Sequence, residues 1–148
     1  MKNASIGSIS HGTLVPDDLI DAFITELEYQ IGRNKDSDDP GMSTVMATLA
    51  TAMSFREIGV SDPDAKSAVI EDLLDALQYF APPYCYFGSN EGDGSDFGYW
   101  PIMDAINELP RVEDSDGAKA LGEDAVFVND HGNVTVYGGD GSVILEFV

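Results

Sequence analysis

The sequence predicts an α+β fold, with three N-terminal helices packed on a C-terminal antiparallel sheet made of a hairpin plus a three-strand meander. Three observations predict it. Apolar residues recur every three or four positions through 16–81, as amphipathic helices require. Aromatic and β-branched runs separated by Gly, Asn and Asp fill 84–148, as strands and turns require. No internal repeat or long linker divides the 148 residues, so one domain spanning 1–148 is expected.

Residues 1–15 are small and polar, and Ile6 and Ile9 suit either an edge strand or a flexible arm. Pro16 opens the first helix, because proline at the first helical position gives up no hydrogen bond. Asp17 and Asp18 sit at the positive end of its dipole. Leu19, Ile20, Phe23, Leu27 and Ile31 form its apolar face, and Gly32 ends it. An Asp-rich loop with a Pro40-Gly41 turn follows. The second helix is expected from about Ser43 to Ile58, with Met42, Val45, Met46, Leu49 and Met53 inward and Gly59 closing it. Asp62 caps the third helix, which Pro63 opens and Pro82-Pro83 stops. Its core stripe is Val69, Ile70, Leu73, Leu77 and Phe80.

Beyond residue 84 the periodicity changes. Tyr84–Phe87 and Phe97–Trp100 predict two strands joined by a long Gly and acid loop over Gly88–Asp96. A short helix is expected from Pro101 to about Leu109, then a charged loop over 110–124. The meander is Ala125–Val128, Asn133–Tyr137 and Ser142–Val148, joined by Asn129-Asp130-His131-Gly132 and Gly138-Gly139-Asp140-Gly141.

Charge narrows the function. Asp and Glu number 27 against 7 Lys and Arg, a formal net charge of −20. Such a chain repels nucleic acid and anionic lipid at long range, which disfavours direct binding to either and favours a basic protein surface or a cation. The first residues carry no apolar segment of the secretory type, and no run of about 18 apolar residues exists to span a bilayer. A single cysteine, Cys85, permits no internal disulfide.

Few residues suggest catalysis. Cys85 reads as a small buried hydrophobe, since nothing places His11 or His131 beside it. Asp130-His131 reads as turn chemistry. Asn90, Glu91, Asp93 and Asp96 gather oxygen donors, but calcium-hand spacing is absent. One Cys and two distant His cannot build a zinc site alone. No phosphate loop or nucleophile elbow is present, and no cofactor is expected.

The carboxylates fall in stripes. On the first helix Asp17, Asp21 and Glu28 lie within about 40° of one direction, opposite Leu19, Phe23 and Leu27. On the third, Asp64, Glu71 and Asp75 align in the same way, away from Val69, Leu73 and Leu77. Carboxylates one turn apart are separated by about 6 Å along the axis, of the same order as phosphates along a strand. The hairpin adds Glu91, Asp93 and Asp96, with Tyr99 and Trp100 as aromatic anchors.

Three segments carry a resemblance. They are His11-Gly12-Thr13 with Asp18-Leu19-Ile20 and Ala22-Phe23, then Pro82-Pro83-Tyr84 through Tyr86-Phe87-Gly88 with Asp93–Gly98 and Trp100, and last Val128–Val134. Together they resemble a group of small acidic proteins of bacteriophages and related mobile elements that have no assigned activity, so no functional residue carries over. The resemblance implies a phage accessory gene acting in a bacterial cytoplasm. With the charge, it leads to the expectation of a non-enzymatic protein that binds and inhibits a basic nucleic-acid-binding host defence protein by mimicking nucleic acid. The alternatives are a small cation-dependent enzyme or metal-binding module using residues 88–100 with His131, and a virion component.

Overall fold

The computed structural model describes residues 1–148 and is α+β, with five helices and two three-stranded antiparallel sheets. In chain order the elements are β1 (Gly7–Ser10), α1 (Pro16–Arg33), α2 (Met42–Ile58), α3 (Pro63–Gln78), β2 (Cys85–Asn90), β3 (Asp93–Pro101), α4 (Met103–Asn107), α5 (Ser115–Leu121), β4 (Ala125–Val128), β5 (Val134–Tyr137) and β6 (Val143–Phe147). The chain forms two compact units, one of Met1–Ala81 with Phe87–Trp100 and one of Pro82–Tyr86 with Pro101–Val148.

In the first unit the three long helices share one core with the hairpin. Leu19, Ile20, Phe23, Ile24 and Leu27 of α1 meet Val69, Leu73, Ala76 and Leu77 of α3, and Phe87 and Tyr99 join them. Phe23 is the centre of an aromatic group, edge-on to Phe87 at 5.3 Å and to Phe97 at 5.5 Å, with Tyr99 4.8 Å from Phe87. Gly32 does not end α1, which runs one residue further to Arg33 and closes at Asn34, whose N–H reaches the Ile31 carbonyl; two other helix signals act as expected. Asp62 accepts the backbone N–H of Ala65 at 3.1 Å, and Gly59 closes α2 with φ +75°.

The expected core face of α2 needs correction. Met42, Val45 and Ala52 are buried, whereas Met46 (53%) and Met53 (37%) are exposed. No charged residue occurs between Met42 and Phe55, so polarity does not mark which side of this helix faces out. Contacts to α1 and α3 decide it.

The first fifteen residues are tied down. Lys2 donates its N–H to the side chain of Asn34 and receives that amide in return, and the Ala4 N–H reaches the Phe80 carbonyl at 2.8 Å. β1 then pairs antiparallel with β3, giving the order β1-β3-β2. The pairing depends on Gly98, where a Cβ would lie 2.1 Å from the Gly7 carbonyl oxygen.

The expected single sheet is thus two. β1 joins the hairpin on the β3 side, completing a three-stranded sheet β1-β3-β2. The meander forms its own sheet, β4-β5-β6, in the second unit. Its β4 edge is covered by the segment at Arg111, where the Val112 N–H donates to the Val126 carbonyl and the Val126 N–H to that of Pro110. The central strand β5 is buried along Val134–Val136. Two further expectations change. The 110–124 loop contains α5, capped by Asp114 and ended by Gly122 at φ +71°. Pro101 ends β3, and the short helix begins at Met103.

Replacing Gly98 with alanine forces β1 away from β3. The expected loss is about 1–3 kcal/mol, read as a lower urea midpoint, with faster amide exchange confined first to residues 7–10.

Candidate functional site

The carboxylates of α1 and α3 are both exposed, but their surroundings differ. Asp17 pairs with Lys66 at 2.8 Å and Asp21 with Arg56 at 3.4 Å, so two members of the stripe Asp17, Asp21 and Glu28 face cations of their own chain. The four groups line one hollow of about 460 Å³ with Ile20, Phe55 and Val60. Exposed pairs of this kind add little stability, but they cancel local charge. Glu28 forms no ion pair.

On α3 the arrangement is different. Asp64, Glu71, Asp72 and Asp75 are exposed and engaged by no cation. From Asp64 to Asp75 they cover about 16 Å of helix. Asp72 and Asp75 also border a groove between α2 and α3, formed by two adjoining hollows of about 460 and 210 Å³ that share Thr44, Thr48 and Asp72. Tyr79 walls one end. Its hydroxyl donates to Asp39, which pushes the phenol up to about 12 and holds the ring against Gly41.

The hairpin differs from the expected long loop. Strand runs to Asn90 and resumes at Asp93, so only Glu91 and Gly92 form the turn, which Asn90 closes by accepting the Gly92 N–H. The acids there are spread along an extended backbone and held by local bonds. Asp93 accepts the N–H and hydroxyl of Ser95 and lies 3.2 Å from His11; these bonds, the Ser95 N–H first, hold its carboxyl below the usual range. Asp96 accepts the Ser8 hydroxyl. His11, which arrives on the β1 side, is thus the histidine beside Asp93. Nowhere do three His, Cys, Asp or Glu side chains gather as a metal ion would require.

The aromatic anchors also need correction. Tyr99 is fully buried, because alternation along β3 turns it with Phe97 toward Phe23 and Phe87. Its hydroxyl is buried without a hydrogen-bond partner. Burial first, and the Glu26 carboxylate second, push its pKa up. Trp100 is half-buried on the other face, with its indole N–H donated to the Gly88 carbonyl at 3.1 Å.

Residues suspected of reactivity are placed as follows. Cys85 is buried, and burial pushes its thiol up to about 11. His131 sits exposed in a turn built on Asn129, whose side chain accepts the N–H groups of His131 and Asn133, with Gly132 at φ +82°. Tyr84 adopts φ +63° and donates its hydroxyl to Asp124 at 2.6 Å, which pushes the phenol up to about 12. No helix is long and apolar enough to cross a membrane.

Sequence reasoning missed a polar row on α1. Gln30 donates to Glu26 at 2.6 Å and accepts from Arg33, and the Asn34 amide reaches the Gln30 carbonyl. The signal was present, in polar residues at 26, 30 and 34 flanking an apolar stripe. Burial raises the Glu26 pKa, opposed by the Gln30 hydrogen bond and Arg33. No family model matches the chain, and no curated protein or solved structure matches it significantly.

Two outcomes follow from these groups. A group with a raised folded pKa stabilises fully below its unfolded value, near 4.3 for Glu, and loses that contribution as pH rises through the folded value. Glu26→Gln therefore raises Tm near pH 7 but not below about pH 4, and more than Glu28→Gln, which removes the same charge from an exposed site. Tyr99→Phe removes an unpaired buried hydroxyl at constant shape, so stability is expected to hold or rise by about 1 kcal/mol, measured by urea unfolding.

Proposed function

We propose that this protein is a non-enzymatic binding protein that docks on a basic protein surface through the exposed carboxylates of α3. The observation that carries the reading is the row of Asp64, Glu71, Asp72 and Asp75, which no cation of the chain neutralises, although Lys66 stands on the same helix and reaches back to Asp17. A solubility face normally mixes signs. Like charges one turn apart cost a helix a few tenths of a kcal/mol per pair, a cost that a cationic partner would reverse.

In its specific form, the partner is a nucleic-acid-handling protein of a bacterial host, and the protein is a phage-type accessory factor acting in the cytoplasm. Carboxylates would then stand where phosphates bind, and docking would inhibit the partner. The net charge of −20 and the resemblance to phage-encoded acidic proteins support this form. Glu28 and the hairpin carboxylates Glu91, Asp93 and Asp96 would add long-range steering. Asp17 and Asp21 contribute less, because Lys66 and Arg56 cancel their field. Association would be fast and weaken steeply with salt.

The test is affinity capture from nuclease-treated bacterial lysate, eluted by a salt gradient. The expected eluate is a basic nucleic-acid-binding protein that leaves at high salt. Glu71→Lys with Asp75→Lys should weaken its binding at least tenfold, and Asp17→Lys should weaken it less. Unchanged affinity in the α3 variant would sink the proposal.

A further inference from the structure

The groove between α2 and α3 combines two properties seldom adjacent in this chain. Its floor and α2 wall carry no charge, being made of Thr44, Val45, Thr48, Ala52, Val69 and Ala76. Its α3 rim carries Asp72 and Asp75, which no cation engages. Met42 to Phe55 is a stretch of fourteen residues without a single Asp, Glu, Lys or Arg, in a chain where 23% of residues are charged. The small side chains of that stretch leave the groove open, and Met46 and Met53 stand exposed along the outer side of α2. From Tyr79 at one end to Thr51 and Val69 at the other, the groove follows about 15 Å of helix, or roughly three turns.

An occupant must satisfy both the apolar floor and the acidic rim. A second copy of this chain would bring another net charge of −20 and a second pair of rim carboxylates, so it would be repelled. A neutral apolar helix would leave Asp72 and Asp75 partly desolvated without partners. Lysine and arginine side chains meet both demands, with methylene stems along the apolar floor and charged heads at the rim.

We propose that this groove receives an amphipathic helix of a protein partner, with apolar residues seated between α2 and α3 and Lys or Arg over Asp72 and Asp75. The mode is helix-in-groove recognition, in which apolar anchors set register and cations set orientation. This inference rests on the reading of α3 as a cation-binding face. It adds the shape of the element recognised.

The experiment uses the full chain and two synthetic peptides of identical composition, each about four turns of Leu and Lys. One has leucine at helical spacing and the other is scrambled so that no apolar face forms. Affinities are measured by calorimetry at two salt concentrations, and the protein's oligomeric state by sedimentation. The expected result is a monomer that binds the patterned peptide at least tenfold more tightly. Thr44→Trp and Thr51→Trp, each an exposed position lining the groove, should abolish that preference without altering binding of the scrambled peptide. Circular dichroism confirms that the variants fold, and having two protects against the failure of one. Asp72→Asn with Asp75→Asn should weaken the patterned peptide severalfold. Equal affinity for the two peptides, or a preference that survives both tryptophan variants, would overturn the groove while leaving the cationic reading intact. Binding of neither peptide would overturn both. A dimer that loses exchange protection on α2 when diluted to monomer would overturn the choice of occupant.

Discussion

The first unit is organised around Phe23. It lies on the inward face of α1 with no exposure, and the rings of Phe87 and Phe97 meet it edge-on. Edge contacts of this kind add about 0.5–1.5 kcal/mol each beyond the area they bury. More important is what they join. A helix near the N-terminus is fixed to a hairpin some sixty residues later, which brings β3 alongside β1 and gives the short first strand a partner. The same packing buries Tyr99 with its hydroxyl unpaired. That is an unfavourable placement, tolerated because the ring fills space beside Phe87. The hairpin aromatics on that face therefore belong to the core.

The exposed carboxylates are separated by their environment. With only seven Lys and Arg against 27 Asp and Glu, local neutralisation is scarce and its location matters. Lys66 and Arg56 both turn toward α1, where they meet Asp17 and Asp21. The remaining row on α3 keeps its charge. Two stripes that look equivalent on helical wheels are thus inequivalent on the surface, because cations from α2 and α3 reach only one of them.

The helix α2 shows the opposite extreme. Lacking charge over most of its length, it is neither a solvated face nor a wholly buried core helix. Its inward residues are held by α1 and α3. Its outer methionines are exposed, and its small residues Thr44 and Thr48 line a groove with Asp72 and Asp75. This apolar surface bordered by one sign of charge is the setting on which the proposed helix-in-groove reading rests.

Local chemistry made much of the fold legible. Pro16, Pro63 and Asp62 set helix starts, Gly59 set a helix end, and the turns at Asn129–Gly132 and Gly138–Gly141 set the meander, because capping and positive φ depend on residue type within a few positions. The acidic stripes were legible for the same reason, since helical spacing is local. Other features required tertiary structure. Whether Met46 faced in or out was set by which neighbours α2 packs against, since the helix carries no polar face to mark the answer. The membership of the first sheet was set by β1 reaching the edge of β3 across some ninety residues, a pairing no local signal marks. The burial of Tyr99 rather than its display was set by its packing on Phe87 in the core shared with α1 and α3. Sequence by itself determined the three long helices, the meander turns and the charge pattern, whose causes lie within a few residues; the short α5 was not foreseen. Tertiary structure alone decided which carboxylates stay unpaired and where a groove opens, because both depend on side chains brought together from distant parts of the chain.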